Sequence, residues 1–539
     1  ISKTIDIIGG FDSCLDAEIL NFSDKKTEID GNYLATAIKI GATDAPMAMH
    51  LEGLVIKNGK SNSSIFSGGG INILDFSTNN INVILENVYV SNNEGKKGGG
   101  IYTKGENINL TLRNSLVINN EALGASGGSA NGGGIYCEQS QVNIREGSGV
   151  SANSAYGSVP NSGNGGGIFA SNACLVNINH GVQSNNLFSY QGMSQNSSSA
   201  HGGAIYAESG AVILVDGLGM SPVNLNDNYA DADFDGYGDG GAVYAKDNST
   251  TVSVSGSIVS NNHAINGGAF AIMERARLGV MDKMSSCWNR KKCNVLKDNL
   301  ASKNNGKGGA FYGNQGDIIV SSSHVSGNRA DHGTVLFIEN ESVATVLKAF
   351  IFDNGGYGKD GWADDYTFRS VTDSQLVFSH ITSAKNQSVN ATIGQNSGTN
   401  VINNSIFFEP NTNQIGNFID TTDNQSCLLL DNESWEKISE KLVAEDFFRK
   451  DHRLIFRALK FLAENVRPMD VVTLYEFLEQ EGEADEIGGL AYIADLAKNT
   501  PSASNISAYA DIVRERAVLR EMIAVSNDIA DAAYSPKGR

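Results

Sequence analysis

The chain has 539 residues, of which 60 are Gly and 7 are Pro, and its 40 Lys and Arg face 60 Asp and Glu. A formal charge of −20 argues against a nucleic-acid-binding surface over the whole chain. No run of 18 apolar residues offers a membrane-spanning helix, and the length allows roughly two to four domains. The numbering starts at Ile1 rather than Met and shows no secretory leader, so the true N-terminus is expected upstream.

Residues 1–60 carry strand-then-corner patterns, Ile5-Asp-Ile-Ile-Gly-Gly10 and Ile29-Asp-Gly-Asn32. Gly59-Lys-Ser61 invites a P-loop reading, but that motif needs Gly at 54, where Leu stands. From residue 61 to about 360 two marks alternate. The first is Gly68–Ile71, Gly98–Tyr102, Gly132–Tyr136 and Gly165–Phe169, and then, with Ala third, Gly202–Tyr206, Gly240–Tyr244, Gly267–Phe270 and Gly308–Tyr312. The second is an aliphatic residue, two small or polar ones, and Asn, ending at Asn93, Asn120, Asn153, Asn228, Asn262, Asn299, Asn328 and Asn354.

A two-mark unit recurring about every 25–40 residues is a solenoid signature. Between the marks lie short alternating runs such as Ile108-Asn-Leu-Thr-Leu112 and Val142-Asn-Ile144, which read as strands with one buried face. The Ile, Val or Phe after each Gly pair then points inward and stacks on its equivalent one coil away. The Asn residues stack as a ladder at a second corner. The Gly pair permits a corner at positive φ, which places Gly99, Gly133 and Gly203 where a Cβ does not fit. A disordered Gly/Asn-rich tract has no reason to keep these registers. The fold class is an all-β right-handed parallel β-helix over residues 1–424, followed by a small all-α domain over 425–539. Loops at 121–131, 155–164 and 187–201 are Ser/Asn/Gly-rich and expected to be exposed.

One loop carries chemistry. Asp231-Ala-Asp-Phe-Asp-Gly-Tyr-Gly-Asp239 alternates carboxylates ahead of a Gly, a pattern that wraps oxygen ligands around a hard cation. It resembles the first half of an EF-hand loop, but Ala242 stands where the closing Glu belongs. Two readings stand: a Ca²⁺ site on Asp231, Asp233, Asp235 and Asp239, completed by carbonyls or a neighbouring coil, or a solvated acidic loop. The six cysteines are Cys14, Cys137, Cys174, Cys287, Cys293 and Cys427. Cys287 and Cys293 flank a basic loop that a disulfide closes if the protein is exported; the alternative is a pair of buried thiols, and zinc-ligand spacing is absent.

The repeat resembles secreted bacterial right-handed β-helix proteins, including the polymorphic outer-membrane autotransporter passengers. The likeness is to a style of repeat, since those passengers begin the second mark with Phe where this chain has mostly Val, Leu or Ile. It implies an exported origin and, weakly, adhesion to an extracellular ligand. Enzymes on this fold of the galacturonase type cluster acids with a Gly-His-Gly run. That run is missing, and Asp364-Asp365 is the only adjacent Asp pair, so no catalytic residue is assigned.

After Cys427 only Gly482, Gly488, Gly489 and Gly538 remain, and the pattern turns helical. Apolar residues recur at Trp435, Ile438, Leu442 and Val443, and at Leu454, Ile455, Leu459 and Leu462. Asp470 is placed to cap a helix after Pro468. A segment at Ile487–Ala497 follows, and Ile506 to about Ala533 reads as one long Arg/Glu-rich helix with Ile512, Leu519, Ile523 and Ile529 along it. About six helical segments are expected.

Leu430-Asp-Asn-Glu-Ser-Trp435, Asp446-Phe-Phe448 with His452-Arg-Leu-Ile-Phe456, and Lys498-Asn-Thr-Pro501 running on to Val513-Arg-Glu-Arg516 closely resemble the N-terminal domain of the bacterial replicative DNA helicase, the DnaB family. That resemblance implies a collar domain that helps hexamerise the helicase and docks primase through a helical hairpin. ATP and Mg²⁺ belong to the family's motor domain. No Walker motif occurs in this chain, so no nucleotide-binding residue is assigned and helicase activity from this chain alone is not expected. The candidate partner-binding face is Ile512, Arg516, Leu519, Arg520 and Ile523. The module holds 14 Lys and Arg against 21 Asp and Glu, which suits protein partners better than DNA. The family's first helix is replaced by β-helix sequence, and the chain stops at Arg539 before the hairpin's second helix. The long helix then lacks its usual cover, so the 425–539 module is expected to self-associate and to bind primase weakly or not at all. Two modules of different compartments, cytoplasmic and cell-surface, point to an artificial join.

Overall fold

The computed structural model describes residues 3–9, 26–41, 45–61, 67–75, 79–124, 128–145, 147–180, 192–217, 222–281, 293–302, 304–356, 363, 365–395, 398–403, 405–408, 435, 438–439, 441–447, 449–465, 467–484, 487, 489–490, 492–493, 510–511, 513–518 and 520. Two compact units divide the chain, Ile1–Ile419 and Asp420–Arg539.

The first unit is a parallel-stranded, β-helix-like solenoid. One coil shows its construction. Strands Ile101–Lys104, Ile108–Arg113, Leu116–Ile118 and Glu121–Leu123 follow one another. Each pairs in parallel with its counterpart one coil on, at Ile135–Glu138, Gln141–Ile144, Gly149–Ser151 and Ser154–Tyr156. Repetition builds sheets of 13 and 12 strands, a third row of 5 and 8 strands that meets at a bridge between Gly149 and Gly192, and a narrower sheet of 7, among the described residues. The coils begin in residues 1–60, where Lys3–Ile8 pairs with Met47–Glu52.

Register makes the core. Ile101, Ile135, Ile168, Ile205, Val243, Phe270 and Phe311 align coil by coil, all at most 1% exposed. Burying each such side chain contributes about 1.5–3 kcal/mol. The next residue along each strand faces the other way. Tyr102, Tyr136, Phe169, Tyr206 and Tyr244 therefore form a separate stacked row with ring centroids 4.9–5.2 Å apart. That offset between rings is favourable for aromatic pairs. The repeat pattern alone assigns this row of four Tyr and one Phe no role.

The Asn ladder runs from Asn93 to Asn386. Asn120 is typical: its Nδ2 donates to Asn153 Oδ1 at 3.0 Å and to the Val90 carbonyl at 2.9 Å, and its backbone N–H donates to the same Asn153 oxygen at 3.0 Å. The residue before each rung is left-handed, including Asn92 (φ 54°), Asn119 (55°), Asp227 (57°), Asn261 (53°) and Asp298 (56°). Asn and Asp tolerate that conformation best among residues with a side chain and precede most rungs, while Ala152, Gln195, Gly327 and Lys385 adopt it before the others.

The Gly pair works differently from expectation. Left-handed φ falls on the first Gly of each mark, Gly98 (67°), Gly132 (68°) and Gly202 (68°), not on Gly99, Gly133 and Gly203. Those second glycines have no room: an added Cβ would lie 2.4 Å from the Glu121 carbonyl oxygen, 2.2 Å from that of Ser154 and 2.3 Å from that of Gly241. The first Gly serves conformation and the second serves close approach of coils. The loop expectation is corrected in part: residues 158–161 are exposed as expected, but much of the rest is not. Glu121–Leu123 and Ser154–Tyr156 are paired strands, Ala122, Ala130 and Ala155 are fully buried, and Met193–Ser194 joins a sheet. Small residues there permit dense coil packing rather than exposure; residues 187–191 lie outside the described set.

In the second unit, a 3₁₀ turn at Ala444–Asp446 precedes helix α1, Lys450–Glu464, and helix α2, Val471–Gln480. Asp470 caps α2 as its position suggested, accepting from the Val472 and Thr473 N–H groups at 2.9 and 3.0 Å. Leu454, Ala458, Leu459 and Leu462 of α1 pack with Met469, Leu474, Leu478, Ile487 and Ile493. A second cluster joins Ile438, Leu442 and Phe456 to Ala510. The described part of 435–443 forms turns closed by Ser439 N–H to the Trp435 carbonyl and Leu442 N–H to that of Ile438. The long C-terminal helix is described over 510–520, with 512 and 519 excepted.

Candidate functional site

On the solenoid, the acidic loop follows strand Tyr229–Ala230 and leads to strand Val243–Lys246. Asp231 and Phe234 are left-handed at φ 63° and 59°, and Gly236 is at 90°. The chain thus folds back, and Asp231 Oδ1 accepts the Gly236 N–H at 3.0 Å while Asp235 Oδ1 accepts that of Tyr237 at 2.9 Å. Asp231, Asp233 and Asp235 each bring one oxygen within 4.8 Å of the others. Asp235 Oδ2 is enclosed without a hydrogen-bond partner among the described residues. Burial, aided by the Asp235 and Asp233 charges, pushes the Asp231 carboxyl up to about 6; burial and Asp235 also raise Asp233. Such crowding is what a bound cation would relieve.

Asp239, the fourth expected ligand, is not in this group. Its carboxylate accepts from Asn266 Nδ2 at 2.8 Å, and its backbone N–H donates to His201 Nδ1 at 3.1 Å. Both belong to a row of residues one place ahead of each Gly mark. His201 donates its own N–H to Asn164 Oδ1, and Lys307 donates to Asn266 Oδ1. The His201 ring lies on Tyr244 with centroids 4.4 Å apart. Burial, with Lys246, lowers its pKa to about 4, and burial raises that of Asp239 to about 6 despite Asn266. Asp239 is therefore part of the coil stack. Its place ahead of Gly240 was the available signal, because it is the same place that Lys97 and His201 occupy.

Of the five candidate partner residues in the helical unit, Ile512, Leu519 and Ile523 lie outside the described residues. Arg516 is exposed. Arg520 donates to the Asp446 carbonyl oxygen, and Arg514 reaches the buried Asp446 carboxylate at 2.6 Å. Asp446 Oδ2 also accepts the Val443 N–H at 2.9 Å. This anchor ties the last helix to the 3₁₀ turn across 68 residues of sequence. The Arg/Glu-rich pattern around Arg514 gives no sign of it.

Cys137 and Cys174 form a disulfide between adjacent coils, a pairing the sequence did not single out. Cys293 is disulfide-bonded with a partner outside the described residues, which also include neither Cys14, Cys287 nor Cys427. No described helix is long and apolar enough to cross a membrane.

The architecture defines a parallel β-solenoid joined to a small helical module. For the module, residues 426–515 match the family model described as DnaB-like helicase N terminal domain. The replicative DNA helicases DnaB of Haemophilus influenzae and of Buchnera aphidicola subsp. Baizongia pistaciae are each 51% identical over 112 residues, which is 21% of this chain and 24% of theirs. That of Geobacillus stearothermophilus is 38% identical over 109 residues, 20% of this chain and 24% of its own. The solved N-terminal domain of DnaB helicase from Mycobacterium tuberculosis is 30% identical, covering 20% of this chain and 78% of that one, with a TM-score of 0.20. The chain spans about a quarter of the length of the curated relatives it matches. The resemblance carried by Leu430–Trp435, Asp446–Phe456 and Lys498–Arg516 is thus shown for the helical module.

Proposed function

We propose that the helical module is a replication-assembly element that associates with helicase-type subunits in the cytoplasm and engages primase weakly. The observation that carries this is 51% identity over 112 residues to replicative helicases. The acidic balance of the module supports protein rather than DNA contacts. Light scattering on the full chain across a concentration range tests it. Self-association that disappears in a chain ending at residue 424 is expected, and a monomer at every concentration would refute the reading. Titration with the primase C-terminal domain should give weak binding or none.

For the solenoid we propose a right-handed parallel β-helix of exported type that presents its loops to an extracellular ligand and holds Ca²⁺ at Asp231, Asp233 and Asp235. Three converging carboxylates with a raised Asp231 support the metal. Calorimetry of the full chain with Ca²⁺ should show one site, lost in Asp233→Ala; absence of heat in the parent chain removes the claim. The two modules are proposed to be an artificial join of two partial reading frames. An unbroken frame in a long genomic read across the codons for residues 415–440 would sink that idea.

A further inference from the structure

The sulfur atoms of Cys137 and Cys174 lie in the interior of the solenoid. Their Cα atoms are 5.9 Å apart, 37 residues separate them, and both residues are 0% exposed. Packing does not ask for sulfur at either place. The row of Cys137 holds Thr103 before it and Ala170, Ala207 and Ala245 after it. The coil after Cys174 holds Ala211 in the equivalent place, just ahead of the Leu175–Val212 pair. Both alanines and cysteines fit these rows, so the cysteines are distinguished by the bond they make.

Thiol–disulfide exchange needs an attacking thiolate in line with a sulfur. A closed coil with fully buried sulfurs gives no such approach. We infer that the solenoid folds oxidatively: Cys137 and Cys174 are joined by exchange with an external disulfide before the coil between them closes, and closure then seals the bond. One cysteine thiolate attacks a sulfur of the donor RS–SR, forming a mixed disulfide and releasing one thiol. The second cysteine thiolate attacks the protein sulfur of that mixed disulfide and releases the second thiol. Two protein thiols are oxidised to one disulfide, and the donor is reduced to two RSH that carry away both protons. The donor is of the small-molecule or protein disulfide class that oxidising compartments maintain. Cys293, also disulfide-bonded, points the same way.

The test uses the full chain. Unfolded and reduced chain is refolded with and without a glutathione redox pair, then alkylated in denaturant and mapped by peptide mass. A linked, unalkylated 137/174 pair is expected only when the donor is present during folding. Adding the same donor after the reduced chain has regained its β circular dichroism should leave both thiols alkylatable for hours. Rapid linkage at that stage would overturn the order of events, and two free thiols after refolding with the donor would overturn the bond itself. If the reduced chain does not regain its fold, the Cys137→Ala/Cys174→Ala variant separates the causes. The alanine rows predict that it folds, with a thermal midpoint roughly 5 °C lower, and a midpoint equal to or above the parent would refute the staple. The native linked chain should resist dithiothreitol and yield to it only in denaturant; ready reduction in native buffer counts against sealing.

Discussion

The two units hold themselves together by different means. In the solenoid each rung residue belongs to two coils at once. Asn153 receives two hydrogen bonds from Asn120 and gives two to Asn196. Removing a rung is therefore felt on both sides. In the helical unit the contacts are discrete, such as Asp470 on two N–H groups and Asp446 on Arg514. Stability in the first unit is shared along rows; in the second it is a set of separable contacts. Non-additivity is the measurable difference.

The largest effect should come from the middle of the ladder. Asn153→Ala removes a donor from the Val117 and Ser151 carbonyls and the acceptor of the Asn120 backbone and side-chain N–H groups in a buried row. We expect a loss of about 4 kcal/mol from several buried hydrogen bonds at about 1 kcal/mol each, read by denaturant unfolding of the solenoid transition. Adding Asn196→Ala should cost distinctly less than it does alone, and strict additivity would break the contrast between the units. Next, Gly133→Ala should destabilise by about 3 kcal/mol because backbone, not side chain, stands 2.2 Å from the new carbon. Gly236→Ala is the control: φ is 90° but nothing lies within 4 Å, so only backbone strain of about 1 kcal/mol is expected. In the helical unit Asp446→Ala should cost about 2 kcal/mol and should add simply to Asp470→Ala, about 1 kcal/mol, in thermal unfolding.

The smallest effect has the opposite sign. The Asp231 carboxyl is raised to about 6 in the folded state, against about 3.9 unfolded. Its favourable contribution is complete below the unfolded value and lost as pH rises through 6. At pH near 7 the metal-free Asp231→Asn variant should therefore be more stable than the parent by about 1 kcal/mol. The gain should vanish toward pH about 4. Parent and variant tracking each other at every pH would mean that the carboxylates do not crowd.

Periodic features were the legible ones. The marks located the inward rows and most rungs because coils repeat the same demand at the same place. Asn196 and Asn386 were missed since Met193 and Ser383 stand where the pattern asks for an aliphatic residue. Yet Asn196 is fully buried and Asn386 is 2% exposed in the same ladder. The glycine roles were exchanged because sequence shows that a Cβ is excluded but not whether φ or a neighbouring coil excludes it. The Cys137–Cys174 bond depends on which residues loop lengths bring into register, which no local pattern states. In the acidic loop, alternation predicted the three-carboxylate group, while Asp239 was claimed by the row beside it. The helical module was legible by likeness, and its Asp446–Arg514 anchor was hidden by distance along the chain.

The ladder has a consequence for how this molecule tolerates change. Successive rungs are separated by as few as 26 residues, Asn328 to Asn354, and by as many as 43, Asn153 to Asn196. The amide contact is nevertheless 2.9 Å in the first case and 3.1 Å in the second. Chain length between rungs is thus free while the spine is fixed. Closing a longer loop adds only about 0.6 kcal/mol per doubling, so foreign peptides inserted between a rung and the following Gly mark should be displayed on a scaffold that keeps its pitch. The solenoid is in this sense a ruler with adjustable labels: the graduations are set by amides, and what is written beside them is open to selection.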